Sequence, residues 1–172
     1  MKKYLIMIVG LLFGCSTNYP DLATVKSVDL GKYIGKWYEI ASFPQSFQKG
    51  CNCTTAEYFK TDKDYIRVLN SCKKDSINGK LATANGKAYI VDGSGNAKLK
   101  VTFFWPFKGD YWIIELAEDY SYAVVGHPNR DYLWILCRTP FMEETIYHGI
   151  LKKVSEKGFD ISRLVRTSQA CN

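Results

Sequence analysis

The sequence predicts an all-β fold: an eight-stranded antiparallel up-and-down barrel with one C-terminal α-helix packed on its outside and a short final strand. Three observations support this prediction. Eight short segments with strand-like patterns follow one another, and short connections join them. Aromatic residues make up 15% of the chain, which favours pleated β-structure because flat rings pack well on it. A single helical apolar stripe lies near the C-terminus.

The first predicted strand is GKWYEI, at residues 35–40. The fifth alternates most clearly: its lysines face one side, and Leu99, Val101 and Phe103 face the other. The turn DGSGN before it is typical of a hairpin, and connections this short join only antiparallel neighbours. The segments after the first are 54–60, 65–71, 81–91, 97–104, 111–117, 120–127 and 132–138.

The predicted helix follows the eighth strand. Thr139 is the expected N-cap with Pro140 as the first helical residue, and Gly158 is the expected stop. A short last strand is expected near 163–168. A wide apolar stripe on this helix has to cover the outer face of the sheet; it consists of Met142, Ile146, Tyr147, Ile150, Leu151 and Val154.

Eight antiparallel strands in meander order either remain an open sheet or close into a barrel, and closure removes both sheet edges. The interior of an eight-stranded barrel either fills with side chains or holds one small ligand. Three positions that we expect to face inward are small, Ala56, Ala84 and Ala88. These small residues favour an interior with free space.

Residues 1–14 are predicted to be a secretory signal peptide. Lys2 and Lys3 precede an apolar run that is too short to cross a hydrocarbon core of about 30 Å as a helix. The run ends in LFGC, which resembles a bacterial lipobox, so we expect cleavage before Cys15 and lipidation of that residue. Ser16 after it suggests the outer membrane. The alternative is a plain secreted protein in which Cys15 is incidental.

The predicted organisation is therefore a signal peptide at 1–14, a lipidated tether at 15–27 and one domain at 28–172. The formal net charge is +6, but the basic residues are dispersed and no nucleic-acid partner is expected. The chain has only two histidines, and Cys51-x-Cys53 lacks zinc spacing. We therefore expect no metal site and no cofactor.

Three sequence stretches resemble the lipocalin family, specifically its bacterial outer-membrane lipoproteins, with apolipoprotein D and plant temperature-induced lipocalins as wider relatives. The first lipocalin motif stands here as Gly35, Trp37 and Tyr38, and the third as Arg138 in RDYLWILCRTP. The second survives only in part as AEDY. The resemblance implies that Trp37 closes the barrel base and that Arg138 lies across it as a cation–π partner, which would contribute about 0.5 to 2 kcal/mol.

The expected ligand-binding set combines strand parity with the resemblance. Parity from Arg138 turns Tyr132 and Trp134 inward, and the outward lysines turn Val101 and Phe103 inward. The remaining inward positions are implied by the resemblance: Ile66, Val68, Asn70, Ala88, Ile90, Tyr111 and Ile113. The cavity would be apolar with few polar groups. The inward amide of Asn70 needs a partner, either a ligand head group or a neighbouring polar group.

Five cysteines follow Cys15, so at least one thiol stays free unless it pairs between chains. The resemblance to apolipoprotein D implies a disulfide between Cys53 and Cys171, which leaves Cys51 and Cys72 as a second pair. That second pair requires a bulge or a strand end past Cys53, because regular alternation puts the two residues on different faces. The swapped pairing Cys51–Cys171 with Cys53–Cys72 remains open. Cys137 is expected to be free beneath the helix.

The resemblance and the lipobox together imply a non-enzymatic, membrane-anchored carrier of a fatty acid, lysophospholipid or similar lipophilic molecule. Its expected location is the bacterial outer membrane, facing the periplasm or the surface, as a monomer or weak dimer. Two alternatives remain: an enzyme on the same barrel, for which neither histidine has an obvious cysteine or acid partner, and a structural lipoprotein with a filled barrel.

Overall fold

A computed structural model describes residues 19–171. The helices are α1 (Leu30–Tyr33) and α2 (Glu144–Glu156), with short 3₁₀ turns at Ser46–Gln48 and Ile161–Arg163. The strands are β1 (Gly35–Ser42), β2 (Cys51–Phe59), β3 (Ile66–Lys74), β4 (Leu81–Ile90), β5 (Lys98–Thr102), β6 (Gly109–Leu116), β7 (Tyr122–Gly126), β8 (Leu133–Cys137) and β9 (Val165–Arg166).

The first eight strands form a closed antiparallel barrel. Each strand pairs with the next along the chain. Strand β1 closes the ring because it pairs with β2 from Gly35 to Tyr38 and with β8 from Tyr38 to Ser42. Strand β9 pairs with the end of β1, beyond the last β1–β2 pair. The predicted fold class is therefore confirmed.

The two ends of the barrel differ. Helix α1 and the residues before it cover one end: Val28 N donates to Gly95 O at 2.8 Å, and Asp29 N donates to Tyr120 Oη at 2.9 Å. Because turns alternate between the ends of a meander, the β2–β3, β4–β5 and β6–β7 turns share this end, which we call the closed end. The opposite end, the mouth, carries the loops 43–50, 75–80, 103–108 and 127–132.

Helix α2 lies on the outside of the barrel, but it begins later than predicted. It starts at Glu144, and the Thr139 hydroxyl donates instead to Phe141 O at 2.6 Å. Its buried residues are Tyr147, Ile150 and Val154, which pack in an outer core with side chains of β1, β6, β7 and β8. Ile146, expected in the apolar stripe, is 38% exposed because it lies at the edge of the buried face.

The predicted tether at 15–27 is packed against the barrel from Tyr19 onward. Leu22 and Val28 are only 4% and 2% exposed, and Val25 N donates to Ile113 O at 3.0 Å. The reason is apolar burial, since Leu22 joins the outer core beneath α2. The expected signal peptide and Cys15 lie outside the described residues.

Two disulfides join Cys51 to Cys72 and Cys53 to Cys171. The β2–β3 register shifts between Asn52 and Thr55, and Cys53 has φ +50°. This bulge brings Cys51 and Cys72 within reach of each other, with Cα atoms 5.4 Å apart. Cys137 is free and buried in the outer core.

Candidate ligand-binding site

The barrel interior holds a second, separate apolar core. Many of the predicted lining residues belong to it. Ile66, Val68, Ala88 and Ile113 are buried there, and Val101, Phe103, Tyr111 and Trp134 pack against it partly buried. The inner walls are therefore apolar on every side of the barrel, which is the usual character of a site for a lipophilic molecule.

Two predicted lining residues lie outside this interior core. Ile90 is 38% exposed at the last position of β4, close to the closed end. Tyr132 is 36% exposed in the loop before β8, where its ring stacks on Trp134 with an interplanar angle of 8°. Ile90 ends β4 and Tyr132 lies just before β8, so the opposite wall of the barrel does not cover either side chain.

The mouth is narrowed on one side and open on another. The ring of Phe103 packs directly against Gly86 on the narrowed side. A Cβ at position 86 would lie only 2.8 Å from Cε1 of Phe103, so glycine leaves room for that ring. The β3–β4 register is continuous through Gly86, so this glycine introduces no bulge. Ala84, on the same face of β4, remains exposed. The interior can therefore be entered beside Ala84.

The floor of the cup is built by Trp37 and Arg138. Trp37 is fully buried, and the guanidinium carbon of Arg138 lies 3.7 Å from its ring centroid. The Arg138 guanidinium also donates to four carbonyls, those of Lys32, Tyr33, Ile34 and Lys36. Gly35 has φ +97°, a conformation that glycine tolerates and that turns the chain under the barrel. Arg138 thus ties α1 and β1 to the end of β8.

Three tyrosines form a hydrogen-bonded cluster above the floor, which the sequence reasoning missed. The Tyr111 hydroxyl lies 2.8 Å from that of Tyr33 and 2.7 Å from that of Tyr58. Burial raises the pKa of Tyr58 to about 12 and, as the main cause, holds the pKa values of Tyr33 and Tyr111 well above the ordinary value. Two hydrogen bonds among three hydroxyls use two protons, so one O–H remains to donate elsewhere.

Four buried side-chain polar atoms of the described residues have no partner within the protein: Gln45 Nε2, Thr54 Oγ1, Asn70 Oδ1 and Thr102 Oγ1. Asn70 lies between Ala56 of β2 and Ala84 of β4, its neighbours on the adjacent strands. Burying such groups unpaired costs free energy. A bound ligand or an interior water would offset that cost.

Glu39 lies in a buried polar environment where β1, the β1–β2 loop and the C-terminal tail meet. Its carboxylate is 5% exposed and accepts from Ser42 Oγ at 3.1 Å, Gln48 Nε2 at 2.8 Å and Thr167 Oγ1 at 2.6 Å. A cavity of about 550 Å³ adjoins it, and a second of about 260 Å³ lies beside Phe141. None of the predicted ligand-binding residues lines either cavity.

Other kinds of site find little support in the described part of the chain. Residues 19–171 contain no group of three or more His, Cys, Asp or Glu side chains that could hold a metal ion. No helix in that range is long and apolar enough to cross a membrane. His127 contacts Asn129 and Asp110 on the outer surface rather than a cysteine.

A closed barrel with a sealed floor, an apolar interior and an open mouth is the architecture of a small-molecule-binding protein. A family profile described as a lipocalin-like domain matches residues 28–169. The chain therefore belongs to the lipocalin family.

Similar proteins agree with this assignment. The outer membrane lipoprotein Blc of Vibrio cholerae serotype O1 is 42% identical over 167 residues, which cover 96% of this chain and 97% of that protein. Temperature-induced lipocalin-1 of Arabidopsis thaliana is 42% identical over 163 residues, covering 90% and 86%. Among solved structures, insecticyanin from the tobacco hornworm Manduca sexta superposes with a TM-score of 0.69 at 27% identity, covering 87% and 85%.

Proposed function

We propose that this lipocalin is a lipid-anchored carrier that binds a fatty acid, a lysophospholipid or a similar amphiphile inside its barrel at the bacterial outer membrane. The observation that carries the proposal is the apolar interior core, closed by Trp37 and Arg138 at one end and open beside Ala84 at the other. Affinity would come mainly from apolar surface, at about 25 cal/mol per Å² buried.

The polar atoms of the interior support an amphiphile over a pure hydrocarbon. The tyrosine cluster has one hydroxyl proton to donate, and Asn70 Oδ1 is an acceptor without a partner. A ligand with an oxygen-rich head group would accept from the first and, through a hydroxyl, donate to the second. The binding residues proposed are the predicted inward set, without Ile90 and Tyr132.

The proposed location rests on the N-terminal sequence and on the relatives. The segment LFGC would direct lipidation of Cys15 after removal of residues 1–14. The Vibrio cholerae relative carries the name outer membrane lipoprotein. Because plant and animal lipocalins are also similar, the membrane assignment depends on that N-terminal signal, and mass spectrometry of the mature N-terminus tests it.

The test of binding uses two neighbouring positions on opposite faces of β4. Ala84→Trp would place an indole inside the entrance, and Thr83→Trp would place the same group on the outer surface. Both sites are exposed, so neither change overpacks a core. We expect Ala84→Trp to weaken the binding of a fluorescent fatty acid about tenfold or more. The indole would occupy space that the ligand otherwise fills, and the apolar contact that the ligand loses there costs over 1 kcal/mol. Thr83→Trp should bind like the unmodified chain.

A second candidate function, a structural lipoprotein with a filled barrel, is favoured by one observation. Both described cavities lie outside the interior, and Ile113 and Val125 within it are fully buried. Failure of the unmodified chain to take up any fatty acid or lysolipid, with no lipid found in extracts of the native protein, would establish this candidate and exclude the carrier.

A further inference from the structure

The exposed apolar side chains of the protein concentrate at the mouth. The 103–108 loop presents Phe104, Trp105 and Phe107, which are 77%, 88% and 77% exposed. Two other mouth segments, the 43–50 loop and the start of β4, add Phe47 and Leu81, each 64% exposed. Aromatic side chains with this exposure are uncommon on a monomer that contacts only water, and three of them in one loop indicate an interaction surface.

Charge is distributed unevenly between the two ends. The exposed charged side chains of the mouth loops are three basic and two acidic: Lys49, Lys80 and Lys108 against Asp75 and Asp131. The closed end, counted over its three turns and residues 26–33, carries four basic and six acidic exposed side chains: Lys26, Lys32, Lys60 and Lys63 against Asp29, Asp62, Asp64, Asp92, Glu118 and Asp119. The mouth is thus the end that attracts an anionic surface.

The first described residues, Tyr19 and Pro20, also lie at the mouth. Arg130, in a mouth loop, is 5% exposed and donates to Pro20 O at 2.7 Å and to Lys157 O at 3.1 Å. Its guanidinium lies 5.1 Å from the ring centroid of Tyr19. Cys15 stands four positions before Tyr19, so even a fully extended chain reaches only about 14 Å from this point.

From these three observations we infer that the mouth is a bilayer-docking surface, with Phe104, Trp105 and Phe107 inserted at the head-group level of a phospholipid leaflet. Aromatic side chains favour that depth because their rings are apolar while a Trp N–H still finds polar partners. The basic loops favour anionic lipids. A protein partner is the less favoured occupant, since Tyr19, four positions after Cys15, lies at this same face.

Docking in this orientation brings the cup opening against the leaflet. A lipid could then pass between bilayer and barrel interior without crossing water, because Ala84 and Phe103 lie at the same end as the inserted loop. The surface requires only the fold and the loop, so it is independent of which ligand the interior takes.

The test uses a chain of residues 16–172, which keeps every described residue and lacks the lipidation site. It is sedimented with vesicles of phosphatidylethanolamine and phosphatidylglycerol. Phe104→Ser should weaken partitioning severalfold, and the triple change Phe104→Ser, Trp105→Ser and Phe107→Ser at least about tenfold. The matched control is Phe141→Ser, since Phe141 is 74% exposed but lies just after β8, away from the mouth; it should leave partitioning unchanged.

Fluorescence provides a second readout. Vesicles should shift the tryptophan emission of the unmodified chain to shorter wavelength, and Trp105→Phe, which keeps an apolar loop, should remove the shift while the protein still sediments. Equal partitioning of the Phe104 and Phe141 variants would overturn the inference. Self-association through the 103–108 loop without vesicle binding would overturn it in favour of a protein partner. Fatty-acid uptake from solution by the triple variant should be normal, which separates this inference from the carrier proposal.

Discussion

At the residue scale, Arg138 shows how one side chain holds several parts of the fold together. It contributes a charge, a flat face against Trp37 and a set of N–H groups that satisfy four carbonyls of the closed end. A planar guanidinium can perform these roles together, whereas an ammonium group cannot. Arg67 offers a comparison, because its guanidinium carbon also lies over an aromatic ring, 3.9 Å from the ring centroid of Phe59. Unlike Arg138, Arg67 is exposed.

Replacing Arg138 by Lys should therefore lower the free energy of unfolding by about 2 to 4 kcal/mol, since several carbonyls lose their donors. Arg67→Lys should change it by less than about 1 kcal/mol, because an exposed cation–π contact contributes little. Urea denaturation of both variants measures the difference. Similar small losses in both would show that the floor does not depend on the guanidinium.

At the scale of elements, the C-terminal tail is held between β1 and β2, where those strands separate. Cys53 N donates to Ser168 O at 2.7 Å, Thr167 N donates to Ile40 O at 3.0 Å, and Gln169 Nε2 donates to Glu39 O and Thr54 O. The Cys53–Cys171 disulfide fixes the end of this tail across a sequence separation of 118. The tail thus supplies hydrogen-bond partners to β1 and β2 where these two strands no longer pair with each other.

The two disulfides should contribute unequally to stability. In the chain-entropy model a separation of 118 corresponds to about 5 kcal/mol and a separation of 21 to about 3 kcal/mol. Cys171→Ser should consequently destabilise the protein more than the Cys51→Ser, Cys72→Ser double change. Thermal unfolding under non-reducing conditions compares them, and the reverse order would show that the tail is already held by its hydrogen bonds.

At the scale of the whole molecule, the barrel is asymmetric from end to end. The closed end combines the Trp37–Arg138 floor, helix α1 and the tyrosine cluster, whose members come from α1, β2 and β6. The mouth combines exposed aromatic side chains, basic loops and the first described residues, Tyr19 and Pro20. Binding of a lipid and contact with a bilayer are therefore expected at the same end.

The tyrosine cluster makes stability sensitive to alkaline pH. Its phenols have raised pKa values in the fold, so the unfolded chain loses these protons first as the pH rises above about 10. Stability is fully present below that pH and falls as the pH approaches 12, by up to about 3 kcal/mol from Tyr58 alone. Urea denaturation across this range measures the loss, and Tyr58→Phe should flatten it.

Local pattern gave the strands and their order, and the resemblance to lipocalins added the closure of the barrel. Alternation identified all eight barrel strands. The Cys51–Cys72 pairing that the resemblance implied required a bulge or a strand end near Cys53, and the β2–β3 register contains the bulge. These features are determined by residues that lie a few positions apart in the sequence. The alternation of apolar and polar side chains and the residue types of the turns therefore predict them directly. The start of α2 was wrong by four residues, since Pro140 and Thr139 suit a helix start but pack instead in the connection before Glu144.

Only the tertiary structure decided which distant groups meet. The contact of Arg130 with Pro20 spans 110 residues, the hydroxyls of Tyr33 and Tyr111 lie 78 residues apart in sequence, and Thr167 reaches Glu39 across 128. No periodic signal links such pairs, because their proximity results from barrel closure as a whole. The sequence therefore determined that this chain forms a cup, whereas the tertiary structure decided how its floor is bonded and at which end Tyr19 and Pro20 lie.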